Sequence, residues 1–201
     1  MTLPRIGDSL QAERTILRLV PAAQALAFRL LDDNAERRRH SAGVAARASL
    51  LRAAVPDMDA DLLVAAAWLH DIGYASALKD TGFHPIDGAR FLREAEWDSA
   101  LCGLVAHHSG SRFVAQQQGL GDELGEFVYE ENAISDSLTV ADQTAGPDGR
   151  RFSLEERMRE MLARHGPESP QARAHARREI YFRSAFERVT RRLLLSGGDG
   201  P

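Results

Sequence analysis

An apolar stretch at residues 62–69 ends in an adjacent histidine and aspartate, His70 and Asp71. Alanine and leucine favour a helix here, and a helical repeat places His70 on the same apolar face as Leu63. Gly73 can end this amphipathic helix in a left-handed conformation. In isolation, the pair would indicate a hydrogen-bonded core histidine. It equally fits a divalent cation, because imidazole nitrogen and carboxylate oxygen are both good metal ligands.

The helical repeat of apolar positions recurs along the chain, and no segment reads as a convincing strand. Besides the His70 helix, the pattern predicts helices at about residues 22–31, 35–55, 98–108, 132–141 and 171–195. Two more helices begin at His84-Pro85, where proline suits the first turn, and at the capping box of Ser153 and Glu156. The predicted fold is therefore all-α.

Apolar side chains four or three positions apart define the buried face of the helix at 35–55. They are Val44, Ala48, Leu51 and Val55, and His40 lies on the same stripe. The helix at 171–195 holds seven arginines and two glutamates, which is typical of a solvated face. Its buried contacts are expected from Ile180, Phe182, Phe186 and Val189.

A chain of 201 residues suits one domain with extensions. The turn-forming sequence at 145–149 separates a core from the C-terminal segment. The predicted organisation is an N-terminal arm and helix at 1–33, a core at 34–145, C-terminal helices packed on that core at 146–195, and a flexible tail at 196–201.

Composition narrows the range of partners. The net charge is -4, which argues against a nucleic-acid partner, and Lys79 is the only lysine among 25 basic residues. The single cysteine, Cys102, excludes an internal disulfide framework and thiolate metal clusters. No membrane-spanning run or signal pattern is found, so a cytoplasmic protein without a membrane partner is expected. The sequence leaves the oligomeric state undecided, and an apolar terminal helix is a candidate for mediating a homodimer.

Five of the seven histidines fall at predicted helix ends or on apolar faces, and two aspartates share that placement. The candidate metal ligands are His40, His70, Asp71, His84, His107, His108 and Asp142. The other two histidines, His165 and His175, lie in an arginine-rich segment interpreted as exposed, and no role is assigned to them.

The order of these residues resembles the HD superfamily of metal-dependent phosphohydrolases, whose signature is H…HD…D on a helical bundle. The matching positions are His40, the His70-Asp71 pair and Asp142, within residues 34–145. The resemblance implies an HD-type bundle with additional terminal helices, a divalent metal, and hydrolysis of a phosphate ester or anhydride in a small, nucleotide-like substrate.

Additional histidines make the chain similar to binuclear branches of that superfamily, such as the HD-GYP cyclic-dinucleotide phosphodiesterases and the symmetrical diadenosine-tetraphosphate hydrolases. Carried over, the signature residues would hold one ion, and Asp71 would bridge to a second ion held by His84, His107 and His108. Manganese, iron or zinc suit such ligands best, while nickel and magnesium stay open. Tyr74 replaces the lysine that follows the HD-GYP signature, and no Gly-Tyr-Pro follows the histidine pair, which argues against cyclic dinucleotides.

Two such cations can activate a shared water, so a metal-bound hydroxide is the expected nucleophile at a centre bridged by Asp71. Arg37 and Arg112 are the candidates for neutralising charge on the phosphate. His108 is open to a second role as a general acid. Two alternatives remain: a di-iron oxygenase of HD type, because the resemblance extends to proteins that cleave C–C or C–P bonds, and a non-catalytic module that binds metal or nucleotide.

Overall fold

The computed structural model describes residues 19–146 and 150–197, so the predicted arm at 1–18 and most of the tail lie outside the described residues. The helices are α1 (19–30), α2 (Ala35–Leu50), α3 (Ala60–Leu69), α4 (His84–Glu94), α5 (Ser99–His107), α6 (Ser111–Gln118), α7 (Gly121–Leu124), α8 (Ala133–Gln143), α9 (Leu154–His165), α10 (Pro170–Arg173) and α11 (His175–Ser196). Within these ranges no β-strand forms; a single antiparallel bridge joins Ala145 to Arg151. The all-α prediction is confirmed.

Helix α3 is the centre of the bundle. Every residue from Leu63 to Leu69 is buried, and α2, α5 and α8 all pack against the helix. The interpretation of α3 as amphipathic is therefore wrong, because neighbours cover it on all sides. The helix ends at Leu69, with His70 as its C-cap and Asp71 leading into a 3-10 turn at Ile72–Tyr74.

Gly73 serves a different purpose from the one predicted. It lies inside the 3-10 turn and does not adopt a left-handed conformation. A Cβ atom at this position would collide with the backbone carbonyl of His84 and with the backbone nitrogen of Gly88. The glycine therefore permits the turn after α3 to touch the first turns of α4, which brings His84 next to Asp71.

The neighbouring helices follow the sequence pattern closely. The stripe predicted for the second helix is buried throughout, although α2 ends at Leu50 and a 3-10 turn at Arg52–Ala54 completes the segment. The predicted capping box of Ser153 and Glu156 forms at the start of α9, and Asn132 begins α8 with a second capping box that the sequence analysis did not predict.

The C-terminal segment departs from the prediction in two ways. It is broken at Ala174 into α10 and α11, and Ile180 is 69% exposed instead of buried. Ile180 precedes Phe182 by two residues, or about 200° around a helix, so both cannot face the core. Arg188 and Arg192 bind the buried carboxylate of Asp136 on α8, with N–O distances of 2.6–2.9 Å, and so attach α11 to the core. None of the described helices combines the length and apolar character needed to cross a membrane.

Candidate metal centre

Ligand-type side chains from five helices or helix ends converge beside the end of α3. Two of them, His70 and Asp71, follow α3 directly. His40 comes from the buried face of α2, and Asp142 from the last turn of α8. His84 and His108 complete the cluster from the start of α4 and the end of α5. All but His84 are buried, and the His84 side chain is 19% exposed.

Three of these residues, His40, His70 and Asp71, form one group that could hold a metal ion, with ligand atoms within 4.8 Å of one another. Asp142 adjoins this group, since its Oδ1 atom lies 3.0 Å from His40 Nε2 and 3.8 Å from His70 Nε2. Adjacent ligands of a divalent ion with bonds of about 2.0–2.2 Å lie about 3.0–3.5 Å apart. These spacings therefore suit one ion.

A second group consists of Asp71, His84 and His108. Asp71 Oδ1 lies 3.3 Å from His84 Nε2 and 3.9 Å from His108 Nε2, and the two imidazole nitrogens are 3.3 Å apart. Asp71 Oδ2 lies 3.8 Å from His40 Nε2 on the side of the first group. Asp71 is thus shared between the two groups.

Backbone carbonyl groups orient three of the four imidazoles. The Nδ1–H groups of His40, His70 and His108 donate hydrogen bonds to Gly146 O, Ala67 O and Val105 O at 3.0, 2.8 and 2.6 Å. A carbonyl oxygen can only accept, so Nδ1 carries a proton in all three rings and Nε2 is the nitrogen that faces the cluster, where Nε2 of His40 lies 3.0 Å from Asp142 Oδ1. This outer hydrogen bond is the usual support of a metal-binding histidine.

The buried Nε2 atom of His70 has no hydrogen-bond partner among the described residues. An unsatisfied polar atom in the interior costs about 1–3 kcal/mol. The Nε2 atoms of His84 and His108 also face each other at 3.3 Å, where only one of the two can donate. A cation would satisfy these lone pairs, so the residues present fit a divalent metal.

Electrostatics favours the deprotonated state for most of the candidate ligands; His40 is the exception, because burial would lower its pKa but the hydrogen bond and charge of Asp142 outweigh burial and raise its pKa. Burial lowers the pKa of His84 and of His108 to about 4, so both imidazoles are neutral at neutral pH, as metal ligation requires. Burial alone would raise the pKa of Asp71, but the charges of His70 and Arg37 outweigh it and hold that pKa well below the ordinary range. A neutral His108 also lacks the proton that a general acid must donate.

His107 does not join the cluster. Its Nε2–H donates to Phe127 O at 2.9 Å, and its ring lies against Tyr129, with centroids 5.0 Å apart. The prediction that His107 binds the second metal is therefore not supported by the geometry, and its neighbour His108 occupies that position. The physical reason is that His107 is the last residue of α5 and faces the 127–129 segment, while the chain turns inward at His108.

Arg112 is also kept away from the cluster. Its guanidinium group lies over the rings of Phe113, Tyr129 and Tyr181, 4.3–4.9 Å from their centroids, and 3.6 Å from Glu131. Cation–π contacts of this kind hold α6 against α11. The predicted contact of Arg112 with phosphate has no support in this arrangement.

Arg37 does reach the centre. Its Nη1 atom donates to Asp71 Oδ2 at 3.1 Å, and its guanidinium lies 4.1 Å from the centroid of the Tyr74 ring. The other face of that ring stacks on His84, with centroids 4.0 Å apart. Tyr74 stands where the HD-GYP branch has a lysine. Its ring contacts both the candidate ligand His84 and Arg37.

A family model for the HD domain matches residues 37–158, which is more than half of the chain. The chain belongs to the HD-domain family. The match spans all the residues of both ligand groups and reaches into α9. No curated protein and no solved structure matches the chain. The match confirms the resemblance to the HD superfamily that was inferred from the sequence. HD domains bind divalent metals and are generally metal-dependent hydrolases.

The HD-domain centre lies at the base of a cavity of about 90 Å³. Its lining includes side chains from the C-terminal helices to which the sequence analysis gave no role: Arg157, Arg164, His165 and Arg178. The two helices α9 and α11 thus cover the site as well as the core. The only sequence signal was their high arginine content, which does not indicate which arginines face inward.

Proposed function

We propose that this HD-domain protein is a metal-dependent phosphohydrolase that acts on a phosphate ester or anhydride of a small, nucleotide-like molecule. The observation that carries the proposal is the pair of ligand groups that share Asp71 beneath a cavity lined by arginines. A centre that binds divalent cations, combined with fixed guanidinium groups, is the arrangement that phosphoryl transfer requires.

His40, His70, Asp71 and Asp142 would hold one ion, and Asp71, His84 and His108 a second. When bound, such ions supply an activated water and positive charge for the phosphoryl oxygens. The protein holds the ligands rigidly: Ser109 donates a hydrogen bond to Asp142 Oδ2, and Gln143 donates to the same oxygen at 2.8 Å. This support keeps the second oxygen of Asp142, Oδ1, directed toward His40.

Arg37 is the arginine best placed to contact the reacting phosphate. Although burial by itself would lower it, the charge of Asp71 raises the pKa of Arg37 above its ordinary value, so the group stays cationic. The Tyr74 ring fixes the guanidinium plane, which favours recognition of phosphate oxygens by paired N–H groups. Arg37 would thereby supply the positive charge that the resemblance assigns to the lysine of the HD-GYP branch.

The test combines metal content with phosphate release. Protein purified without chelator should contain close to two ions of manganese, iron or zinc per chain by mass spectrometry, and should release phosphate from a panel of nucleotides and phosphate esters. Chelation should abolish release, and the same metal should restore it. Asp71→Asn should lose both ions and activity but keep its helical circular dichroism, while His175→Ala should keep both.

Other outcomes would change the assignment. Because the histidine-rich groups also suit iron, iron together with oxygen consumption and no phosphate release would favour the oxygenase alternative. Tight nucleotide binding without turnover of any phosphate compound in the fully metal-loaded protein would favour a non-catalytic binding module. A fully active Asp71→Asn variant with its metal retained would refute the site itself.

A further inference from the structure

Four arginines line the cavity above the HD-domain centre, and they differ in how their charge is compensated. Arg37 pairs with Asp71. Arg157 and Arg164 share one carboxylate, Glu160, at 2.5 and 2.6 Å. More positive than negative charge therefore lines the cavity before any metal is counted, which is unfavourable unless an anion binds there.

Of these four, Arg178 is the arginine without a carboxylate partner among the described residues. Among the described residues, the one hydrogen bond of its side chain is donated from Nη2 to Ser109 O at 3.2 Å, and its guanidinium lies 5.0 Å from the Phe182 ring centroid. The Nε–H group is buried and has no partner in the part of the chain that the structure describes. Burial, reinforced by the nearby charge of Arg157, lowers the pKa of Arg178 to about 10 in spite of the opposing charge of Asp142.

Arg157 differs from Arg178 in having a carboxylate partner, Glu160, but it too has an unsatisfied donor. Its side chain is buried, its Nε–H group has no partner among the described residues, and the residue lines the same cavity. The two arginines come from α9 and α11, and both act electrostatically on Asp142. Two cationic groups with buried, unsatisfied N–H donors that line the same cavity as the candidate metal ligands favour an acceptor that carries negative charge.

We infer that, in the hydrolase proposed above, Arg157 and Arg178 form a second anion subsite that binds the phosphate adjoining the one at the metal centre. The substrate then carries two linked phosphate groups, as a nucleoside diphosphate or another phosphoanhydride does. A simple monoester would leave the positive charge of the two guanidinium groups uncompensated and would bind more weakly. The paired arginines thus select for an anhydride at the level of binding.

The first part of the test needs no turnover, because the inference rests on the proposed function. Inorganic phosphate is titrated into metal-depleted protein by calorimetry in the presence of chelator. The native chain should bind phosphate, and Arg178→Gln should weaken that binding about 10- to 100-fold, as expected for a lost charge-assisted hydrogen bond. Arg191→Gln, which removes an exposed charge from the same helix, should bind like the native chain.

The second part compares AMP with ADP in metal-loaded protein. Arg178→Gln should raise the KM for ADP about 10- to 100-fold and leave the KM for AMP within about twofold. Arg178→Lys, which keeps the charge, should restore part of the ADP affinity, and thermal unfolding identifies any variant that fails to fold. An equal effect of Arg178→Gln on both nucleotides would overturn the subsite.

The two parts fail in different ways. If phosphate binds in an Arg178-dependent manner but no nucleotide is hydrolysed, the subsite stands and the proposed reaction is wrong. If nucleotides are hydrolysed but native, metal-depleted protein does not bind phosphate, or the Arg178→Gln variant binds it equally well, the reaction stands and the subsite is wrong.

Discussion

Tyr74 stacks against His84 with ring centroids 4.0 Å apart and planes 18° apart. The guanidinium of Arg37 lies 4.1 Å from the centroid of the same tyrosine ring, so the ring is enclosed between a metal ligand and a cation. The phenol is therefore a support for both groups, and its aromatic face, more than its hydroxyl, performs this function.

Replacement of Tyr74 separates these contributions. Tyr74→Phe keeps the aromatic face and should leave metal content and kcat/KM within about twofold. Tyr74→Ala should weaken binding of the ion held by His84 about 10- to 100-fold, because loss of an outer support commonly has this effect. Metal titration of both variants measures the difference; equal loss in Tyr74→Phe would assign the role to the hydroxyl group.

The adjacent histidines after α5 provide a matched pair. His108→Gln should remove one of two bound ions, because His108 belongs to the group of Asp71 and His84. His107→Gln should retain both ions, because His107 faces Phe127. Mass spectrometry measures the metal content of the two variants. If His107→Gln lost an ion and His108→Gln kept both, His107 would be restored as the second-metal ligand.

Asp136 anchors α11 through three charged hydrogen bonds, although it lies outside the metal centre. Asp136→Asn should lower the free energy of unfolding by about 2–3 kcal/mol, because hydrogen bonds to charged groups are strong and Asp136 is buried. Glu187→Gln, on the exposed side of α11, should change it by less than about 0.5 kcal/mol. Urea unfolding of metal-depleted protein measures the free energy of unfolding of both variants. If Asp136→Asn were as stable as Glu187→Gln, the hydrogen bonds of Asp136 to α11 would contribute nothing to stability.

Gly73 sets the distance between the turn after α3 and the start of α4. Gly73→Ala should destabilise the fold by about 1–3 kcal/mol and displace His84 from Asp71, since the added methyl group meets backbone atoms that cannot rotate away. Gly121→Ala has open space around the new methyl group and should be neutral or slightly stabilising. Thermal unfolding and metal titration test the pair, and a Gly73→Ala variant with native metal affinity would contradict the close approach.

The sequence alone determined the helical fold and pointed to the six ligand-type residues that cluster, but it did not separate His108 from its neighbour His107. Helical spacing is a local property, so the apolar stripe around Val44 revealed that His40 faces inward, and the capping box at Ser153 located the start of α9. The same reasoning placed His70 on an apolar face, but the resemblance to the HD superfamily, and not the local pattern, marked His70 and Asp71 as metal ligands.

Tertiary structure decided which of the candidate histidines and arginines reach the metal centre. His107 and His108 are neighbours, and Arg178 is one of seven arginines at 171–195, so no local pattern singles out the residue that reaches the site. Packing of the 127–129 segment on α5 turns His107 outward, and the rings of Tyr129 and Tyr181 retain Arg112. Arg178 reaches the site because α11 folds back over residues far away in sequence, and such long-range contacts depend on the whole core, not on any single segment.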